Sequence, residues 1–280
     1  MCLHPKRPKV SLNSVIRKID SVGATYSDKD PDIAIVVGGD GTFGYYGRIL
    51  SVPLLFVGVH DPDILGSKAR LAHIYFEDLA KSLMDIQRSK FSIDERRMLS
   101  VDYGKTKPKE ILTDMYLERG ISPGCIRYSV SIDSKQKSNY QSMQKFTDYA
   151  IGNGVIISTS FGSAGYYNYL DRIKLNKLEG NKYMKGFEDN RLGICHIIPT
   201  FLIRERYEKD HGMYKIGNIQ YTVPLESIIK VSLVRKADAR LYGTTYHSKG
   251  IAVDVNSHIT ICHSNRTAKI IRLNTQARVK

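Results

Sequence analysis

Residues 33–42 read IAIVVGGDGT. Five apolar residues in a row, four of them β-branched, form the pattern of a strand buried on both faces, as in a parallel sheet. The run ends in three glycines around one acid, Asp40. A second apolar run, VPLLFVGV at 52–59, follows nine residues later. Before the pair, VSLNSVIRKIDSV (10–22) has Val15, Ile16, Ile19 and Val22 at helical spacing, with Ser11 or Asn13 as its cap. After it, YFEDLAKSLMDIQRSK (75–90) carries Phe76, Leu79, Leu83 and Ile86 along one stripe. Strand, turn, helix, strand, helix is the order of a compact α/β unit.

Beyond residue 90 the texture changes. RRMLSVDYG, ILTDMYLERG, CIRYSVSID, YAIGNGVIIST, LGICHIIP, IIKVSLVRK, IAVDVNSHITICHS and TAKIIRLN are short β-rich segments separated by Gly, Asn, Asp and Ser. Many alternate apolar with polar, as half-buried strands do. Residues 171–190 are polar and read as a helix with a surface loop. The fold class expected is therefore an N-terminal α/β domain with a parallel sheet (1–90), followed by a β-rich, sandwich-like domain (91–280). The extreme C-terminus is expected to pack back on the first domain.

Composition narrows the function classes. The 280 residues are 42% apolar and 25% charged, a globular balance. No apolar run approaches the ~20 residues of a membrane-spanning helix, and MCLHPKRPKV does not read as a secretory signal. A cytoplasmic location is expected. The four cysteines, Cys2, Cys125, Cys195 and Cys262, lack metal-ligand spacing. The net charge of +14 attracts polyanions, but the basic residues are dispersed without an aromatic platform, so no dedicated nucleic-acid role is expected. The histidines also lack ligand spacing. His247 alone stands out as worth testing.

The glycine turn has its own chemistry. Exposed N–H groups in such a turn, or at the start of the next helix, suit phosphate. An acid there needs a positive partner or a metal, or a hydroxyl to hold for attack on phosphorus. A plain strand-to-helix turn with Asp40 as the cap is the other reading. The pattern is neither a Rossmann fingerprint nor a P-loop. A second cluster, GNGVIISTSFGSAGYY (152–167), offers the hydroxyls of Ser158, Thr159, Ser160 and Ser163 and the ring of Tyr166 to a nucleotide. Solvated hydroxyls on a β-turn would look the same.

Together the two clusters resemble the NAD kinase family. Gly38, Gly39, Asp40, Gly41 and Thr42 match its G-G-D-G-T turn in full. Gly154, Ser158, Thr159, Gly162, Ser163 and Tyr166 match its second, S-T-P-x-G-S-T-A-Y-like motif. The resemblance implies phosphorylation of the adenosine-ribose 2′-hydroxyl of NAD, with ATP or polyphosphate as donor. Asp40 would be the catalytic residue that orients or deprotonates the hydroxyl. Gly38, Gly39, Gly41 and Thr42 would hold donor phosphates, with Mg²⁺ or another divalent cation bound mainly through those phosphates. Phe43, Thr113, Asp114, Asn153, Thr159, Ser163 and Tyr166 would contact NAD. The family plan also implies an active site in the cleft between the domains and a homodimer or homotetramer.

Several positions depart from that pattern. Thr113-Asp114 stands where the family has Asn followed by an acid, and Asn153 stands where it has Asp. Ala164-Gly165-Tyr166 replaces Thr-Ala-Tyr, HDPDILGS (60–67) replaces an N-x-G-x-L-G-F turn, and Pro199-Thr200 replaces Pro-His. The phosphate-side turn is intact, whereas the acceptor side has drifted. A non-catalytic nucleotide sensor is one alternative. A lipid kinase of the diacylglycerol or sphingosine type, which shares the glycine turn, is another.

Overall fold

The computed structural model describes residues 2–3, 10–59, 69–104, 106–134, 145–170, 186–208, 211–243 and 249–274. The HDPDILGS stretch, residues 171–185 and His247 lie outside them. The chain divides into two compact units, residues 1–96 with 267–280, and residues 97–266.

The first unit is α/β. Its strands are β1 (Cys2–Leu3), β2 (Ala34–Val37), β3 (Leu54–Gly58) and β4 (Ile74–Tyr75), and its helices are α1 (Leu12–Asp20), α2 (Asp40–Ile49) and α3 (Leu79–Gln87). β1, β2 and β3 pair in parallel, with Ala34 opposite Leu54 and Val37 opposite Val57. β4 pairs in parallel with the end of β3, and Ile270 pairs in parallel with its first residue, Leu54. Every residue of β2 and β3 except Gly58 is an apolar side chain, and all are buried. This is why the two runs do not alternate: both faces are covered, each side chain contributing about 1.5–3 kcal/mol. α1 starts at Ser11, whose hydroxyl accepts from the Ser14 N–H at 3.1 Å. That bond decides between the two expected caps. The α3 stripe seals the core through Leu79 and Leu83, with Phe76 and Ile86 packed partly buried against it.

The second unit is a β-sandwich. β5 (Phe91–Asp102) leads in and forms a hairpin with β6 (Lys109–Ile111), followed by β7 (Asp114–Arg119), β8 (Ile126–Asp133), β9 (Lys145–Gly152) and β10 (Gly154–Ser158). Next come β11 (Arg191–Ile197), β12 (Phe201–Glu208), β13 (His211–Ile216), β14 (Gln220–Pro224) and β15 (Ile228–Leu233). The last are β16 (Ala239–Tyr242), β17 (Ile251–Val253) and β18 (Ile259–Leu273). One layer runs β18-β15-β8-β9-β12-β13 and the other β14-β11-β10-β7-β16-β17, and the pairs within both are antiparallel. Their inner faces share one core. Tyr128, Val130, Phe146, Ile229 and Val231 come from the first layer; Met115, Leu117, Val155, Ile157, Ile194 and Leu241 come from the second. The fold class agrees with the sequence reading. The strands β6, β12, β13, β14 and β16 of this unit, and the short β1 and β4 of the first, are additions to it. Among the described residues no helix is long and apolar enough to cross a membrane.

Candidate phosphate and nucleotide sites

The glycine turn of the first unit joins β2 to α2. Gly39 is the N-cap of the ten-residue helix and makes no side-chain cap, and Asp40 is the first helical residue. Asp40 is therefore not the cap that the plain-turn reading requires. Its Oδ1 instead accepts the N–H of Leu71 at 2.9 Å. Among the described residues Oδ2 has no hydrogen bond, so one carboxylate oxygen remains for another partner.

The glycines fall into two kinds. Gly38 sits at φ +156°, and a Cβ there would stand 2.8 Å from Thr42 Oγ1 and 2.9 Å from Thr42 Cβ. Only a glycine lets the strand end lie this close to the first helical turn. Gly39 and Gly41 are different: no described atom lies within 4 Å of a Cβ built on either. Among the described residues the main chain here is uncrowded, and it lies at the N-terminus of a helix, beside the positive end of the helix dipole. Thr42 is buried, yet its hydroxyl has no hydrogen-bond partner among the described residues. A buried hydroxyl is normally satisfied. Phe43, placed among the dinucleotide contacts by resemblance, is wholly buried, its ring stacked on Phe56 at 4.6 Å. The ring anchors α2 to β3.

The second cluster lies within the sandwich unit, on β10 and the segment after it. The register sets Asp114 opposite Ser158, Tyr116 opposite Ile156 and Glu118 opposite Gly154. Met115 and Leu117 enter the core, so the alternation of β7 puts Asp114, Tyr116 and Glu118 on the opposite face. The hydroxyls expected to meet a ligand are spent locally. Ser158 donates to the Thr159 carbonyl at 2.9 Å. Thr159 donates to the carbonyls of Leu112 (2.7 Å) and Thr113 (3.0 Å), and Ser163 to that of Ser160 (2.6 Å). Ser160 bonds Asp189. Thr159 and Ser163 are buried. A Cβ on Gly162 would stand 2.5 Å from the Thr113 carbonyl oxygen. The segment is thereby locked onto the Thr113-Asp114 corner, and its serines and threonine hold that corner together.

What remains partly exposed is aromatic and acidic. Tyr166, 38% exposed, donates to Glu118 Oε1 at 2.7 Å and meets Tyr116 edge-on at 5.5 Å. Tyr116 stacks on Tyr242 at 5.2 Å. Burial, then the charges of Asp114 and Glu118, push the Tyr116 phenol up to about 12. Burial and the bond to Glu118 raise Tyr166 as well. Both phenols thus stay neutral donors at physiological pH. Tyr116, Glu118 and Tyr242 do not stand out in the sequence. The period-2 alternation of DMYLER is the signal that groups the first two with Asp114. Asn153 occupies the single-residue crossover between β9 and β10. Its N–H donates to the Ile197 carbonyl, and its carbonyl accepts from the Arg119 N–H, both at 2.9 Å. The structure thus gathers Thr113, Asp114, Thr159, Ser163 and Tyr166 into one corner and puts Asn153 at the far end of β10. Asp40 and Thr42 belong to the other unit.

No family model matches the chain. Among curated proteins it is similar to the NAD kinase of Nitrosomonas europaea, 32% identical over 145 residues, which is 49% of this chain and 44% of that enzyme. The NAD kinase of Clostridium kluyveri is 30% identical over 139 residues, and that of Acetivibrio thermocellus is 32% identical over 142. The match thus spans less than half the length of these relatives. An NAD kinase from Archaeoglobus fulgidus, solved in complex with ATP, superimposes with a TM-score of 0.61 at 16% identity, covering 96% of this chain and 91% of that one. Yeast NADH kinase complexed with NADH gives 0.58 at 16%, covering 93% and 65%. About half of the chain is thus similar to NAD kinases at about 30% identity, and the chain has the fold of the solved NAD kinase structures.

Proposed function

We propose that the chain is an NAD kinase-like phosphotransferase that makes NADP from NAD and ATP. One observation carries the reading. The strand-to-helix turn keeps Gly39 and Gly41 open, leaves the buried Thr42 hydroxyl without a described partner, and sets Asp40 in the first helical turn without using it as a cap. A turn built only to reverse the chain would satisfy its polar groups internally. The relatives at about 30% identity, named NAD kinases, supply the chemistry.

In this reading the main-chain N–H groups of Gly39 and Gly41 and the Thr42 hydroxyl hold the donor phosphates, while Gly38, whose N–H donates to the Val57 carbonyl at 3.0 Å, seats the turn against β3. Asp40 accepts the proton of the attacking hydroxyl. Its Leu71 bond fixes the carboxylate and leaves one oxygen for that proton. Thr113, Asp114, Asn153 and Tyr166 bind the dinucleotide. Thr159 and Ser163 shape that corner, and Phe43 supports the turn from beneath. A divalent cation fits this donor set as a passenger on the nucleotide phosphates. The turn offers one carboxylate and one hydroxyl, and Mg²⁺ keeps several waters and is commonly bound through one or two carboxylates plus phosphates. When bound it would offset phosphate charge.

Polyphosphate as donor is compatible with the +14 charge. A homo-oligomer assembled through the sandwich unit is supported by the exposure there of Ile198 (60%), Phe201 (46%), Tyr214 (59%) and Ile216 (90%). A cytoplasmic enzyme is the setting proposed.

The test is NADP formation from NAD, ATP and Mg²⁺ beside Asp40→Asn. The asparagine retains an acceptor for the Leu71 N–H but cannot take a proton. A loss of at least about 100-fold in kcat, with unchanged melting, is the expected result. NAD binding without turnover in the wild type would favour the sensor. Absence of both would leave lipid hydroxyls as the acceptor to try.

A further inference from the structure

The sandwich core of the second unit holds a chain of polar groups that the proposed chemistry does not use. Asp148, fully buried on β9, accepts from Arg204 Nε (2.7 Å, to Oδ1) and from Arg204 Nη2 (2.9 Å, to Oδ2). Tyr221 also donates to Oδ2, at 2.6 Å. The Arg204 guanidinium lies over the rings of Phe146 (3.9 Å) and Tyr221 (4.4 Å). Burial pushes the Asp148 carboxyl up, but the bonds from Arg204, His196 and Tyr221 outweigh it and hold the group below the usual carboxylate range. Asp148 Oδ2 lies 3.3 Å from His196 Nε2, and His196 Nδ1 lies 3.0 Å from the Tyr128 hydroxyl. Tyr128 in turn donates to the carbonyl of Gly154. Tyr128 and His196 are as buried as Asp148.

The geometry has a direction. Tyr128 stands on β8 in one layer, and Gly154 opens β10 in the other, so the phenol spans the core. The far end of the chain is the crossover that carries Asn153. Gly154 has φ +145°, and a Cβ on it would stand 1.9 Å from the Leu117 carbonyl oxygen. The backbone there lies directly against β7, the strand that presents Asp114, Tyr116 and Glu118. Asn153 is tied to β11 and to the end of β7 by its own peptide groups. The Tyr128 bond is the tie that comes from the opposite layer. His196 also touches the other end of the acceptor corner: its carbonyl accepts from Tyr169 at 2.8 Å, and Tyr169 packs on Tyr166. An apolar core of the same volume would avoid the cost of burying these charges. A hydrogen-bonded polar chain fixes positions where an apolar one permits sliding.

We propose that Tyr128, backed by His196 and Asp148, is a positioning residue for the acceptor site, setting the Asn153 crossover and the seating of β10 on β7. Its consequence for binding rests on the dinucleotide reading above; its local consequence rests on geometry alone. The test compares Tyr128→Phe with Tyr221→Phe in the full chain. The first removes the hydroxyl that holds Gly154. The second removes one bond to Asp148 and leaves the Tyr128–Gly154 bond in place. Calorimetric NAD binding, amide hydrogen exchange and melting are read for both.

Tyr128→Phe is expected to weaken NAD binding about tenfold and to speed exchange about tenfold in residues 152–155. Tyr221→Phe is expected to lower melting while leaving both other readouts within about twofold. Wild-type NAD affinity in Tyr128→Phe, or equal losses in the two variants, overturns the proposal. Should the wild type bind no NAD, the acceptor reading fails, and exchange decides the positioning: acceleration confined to 152–155 supports it, and uniform or absent acceleration overturns it. If Tyr128→Phe does not fold, His196→Gln replaces it, with the same local pattern expected and the same criteria applied.

Discussion

The turn at 38–42 and the segment at 158–166 look alike as sequence, both built from glycine with small hydroxyl or acidic residues, yet they are opposites as structure. The first keeps part of its polar groups out of the fold: no described atom lies within 4 Å of a Cβ on Gly39 or Gly41, and the Thr42 hydroxyl has no partner among the described residues. The second gives them to the fold, its Thr159 and Ser163 hydroxyls bonded to main-chain carbonyls and its Gly162 pressed on Thr113. The same residue types therefore present a ligand surface in one place and form a scaffold in the other. Which of the two occurs depends on whether a neighbouring strand lies within hydrogen-bond reach. β7 and the Leu112–Thr113 corner do so for β10. The described surroundings of Gly39 and Gly41 hold no such neighbour.

Substitutions can break this contrast, and the scaffold side should yield first. Gly154→Ala forces a Cβ to 1.9 Å from the Leu117 carbonyl at a φ that L-residues rarely adopt. A loss above about 4 kcal/mol in denaturant unfolding is expected, enough to unfold a marginal domain. Thr159→Val keeps the shape but leaves the Leu112 carbonyl without this donor in a buried setting. A loss of about 1–3 kcal/mol is expected from the same measurement, and an unchanged stability would mean that the hydroxyl is available to ligand after all. Gly41→Ala is the smallest change and the sharpest discriminator. No described atom obstructs the new methyl, and alanine is the better helix former by about 1 kcal/mol, so melting should hold or rise. ATP affinity should nevertheless fall several-fold if phosphate approaches this backbone closely.

Much of the fold is legible because burial leaves a period in the sequence. β2 and β3 are continuous apolar runs because a parallel sheet covers both their faces, and α1 and α3 show their stripes. The strands β12, β13, β14 and β16 are harder to read. RER (204–206) puts charge on a strand whose partner supplies the compensation, since Arg204 is opposite Asp148 across the ladder. That pairing is non-local and has no signature in either segment alone. Asp148 does leave a trace: in KFTDYAIG it stands at an inward position between Phe146 and Ala150. An acid in the core register of a strand requires partners, but nothing nearby says that they are Arg204, His196 and Tyr221. His196 reads as an ordinary histidine for the same reason.

The sequence by itself determined the fold class, the glycine turn with its acid, and the likeness to the NAD kinases, because these depend on periodicity and on short contiguous motifs. Only the tertiary structure decided that Asp40 is held by Leu71 rather than capping its helix, and that the Thr159 hydroxyl is spent on the Leu112 and Thr113 carbonyls. It alone showed that Tyr128 reaches across the core to Gly154. Each of these depends on which atoms from distant segments come within about 3 Å, where a hydrogen bond is strong and directional.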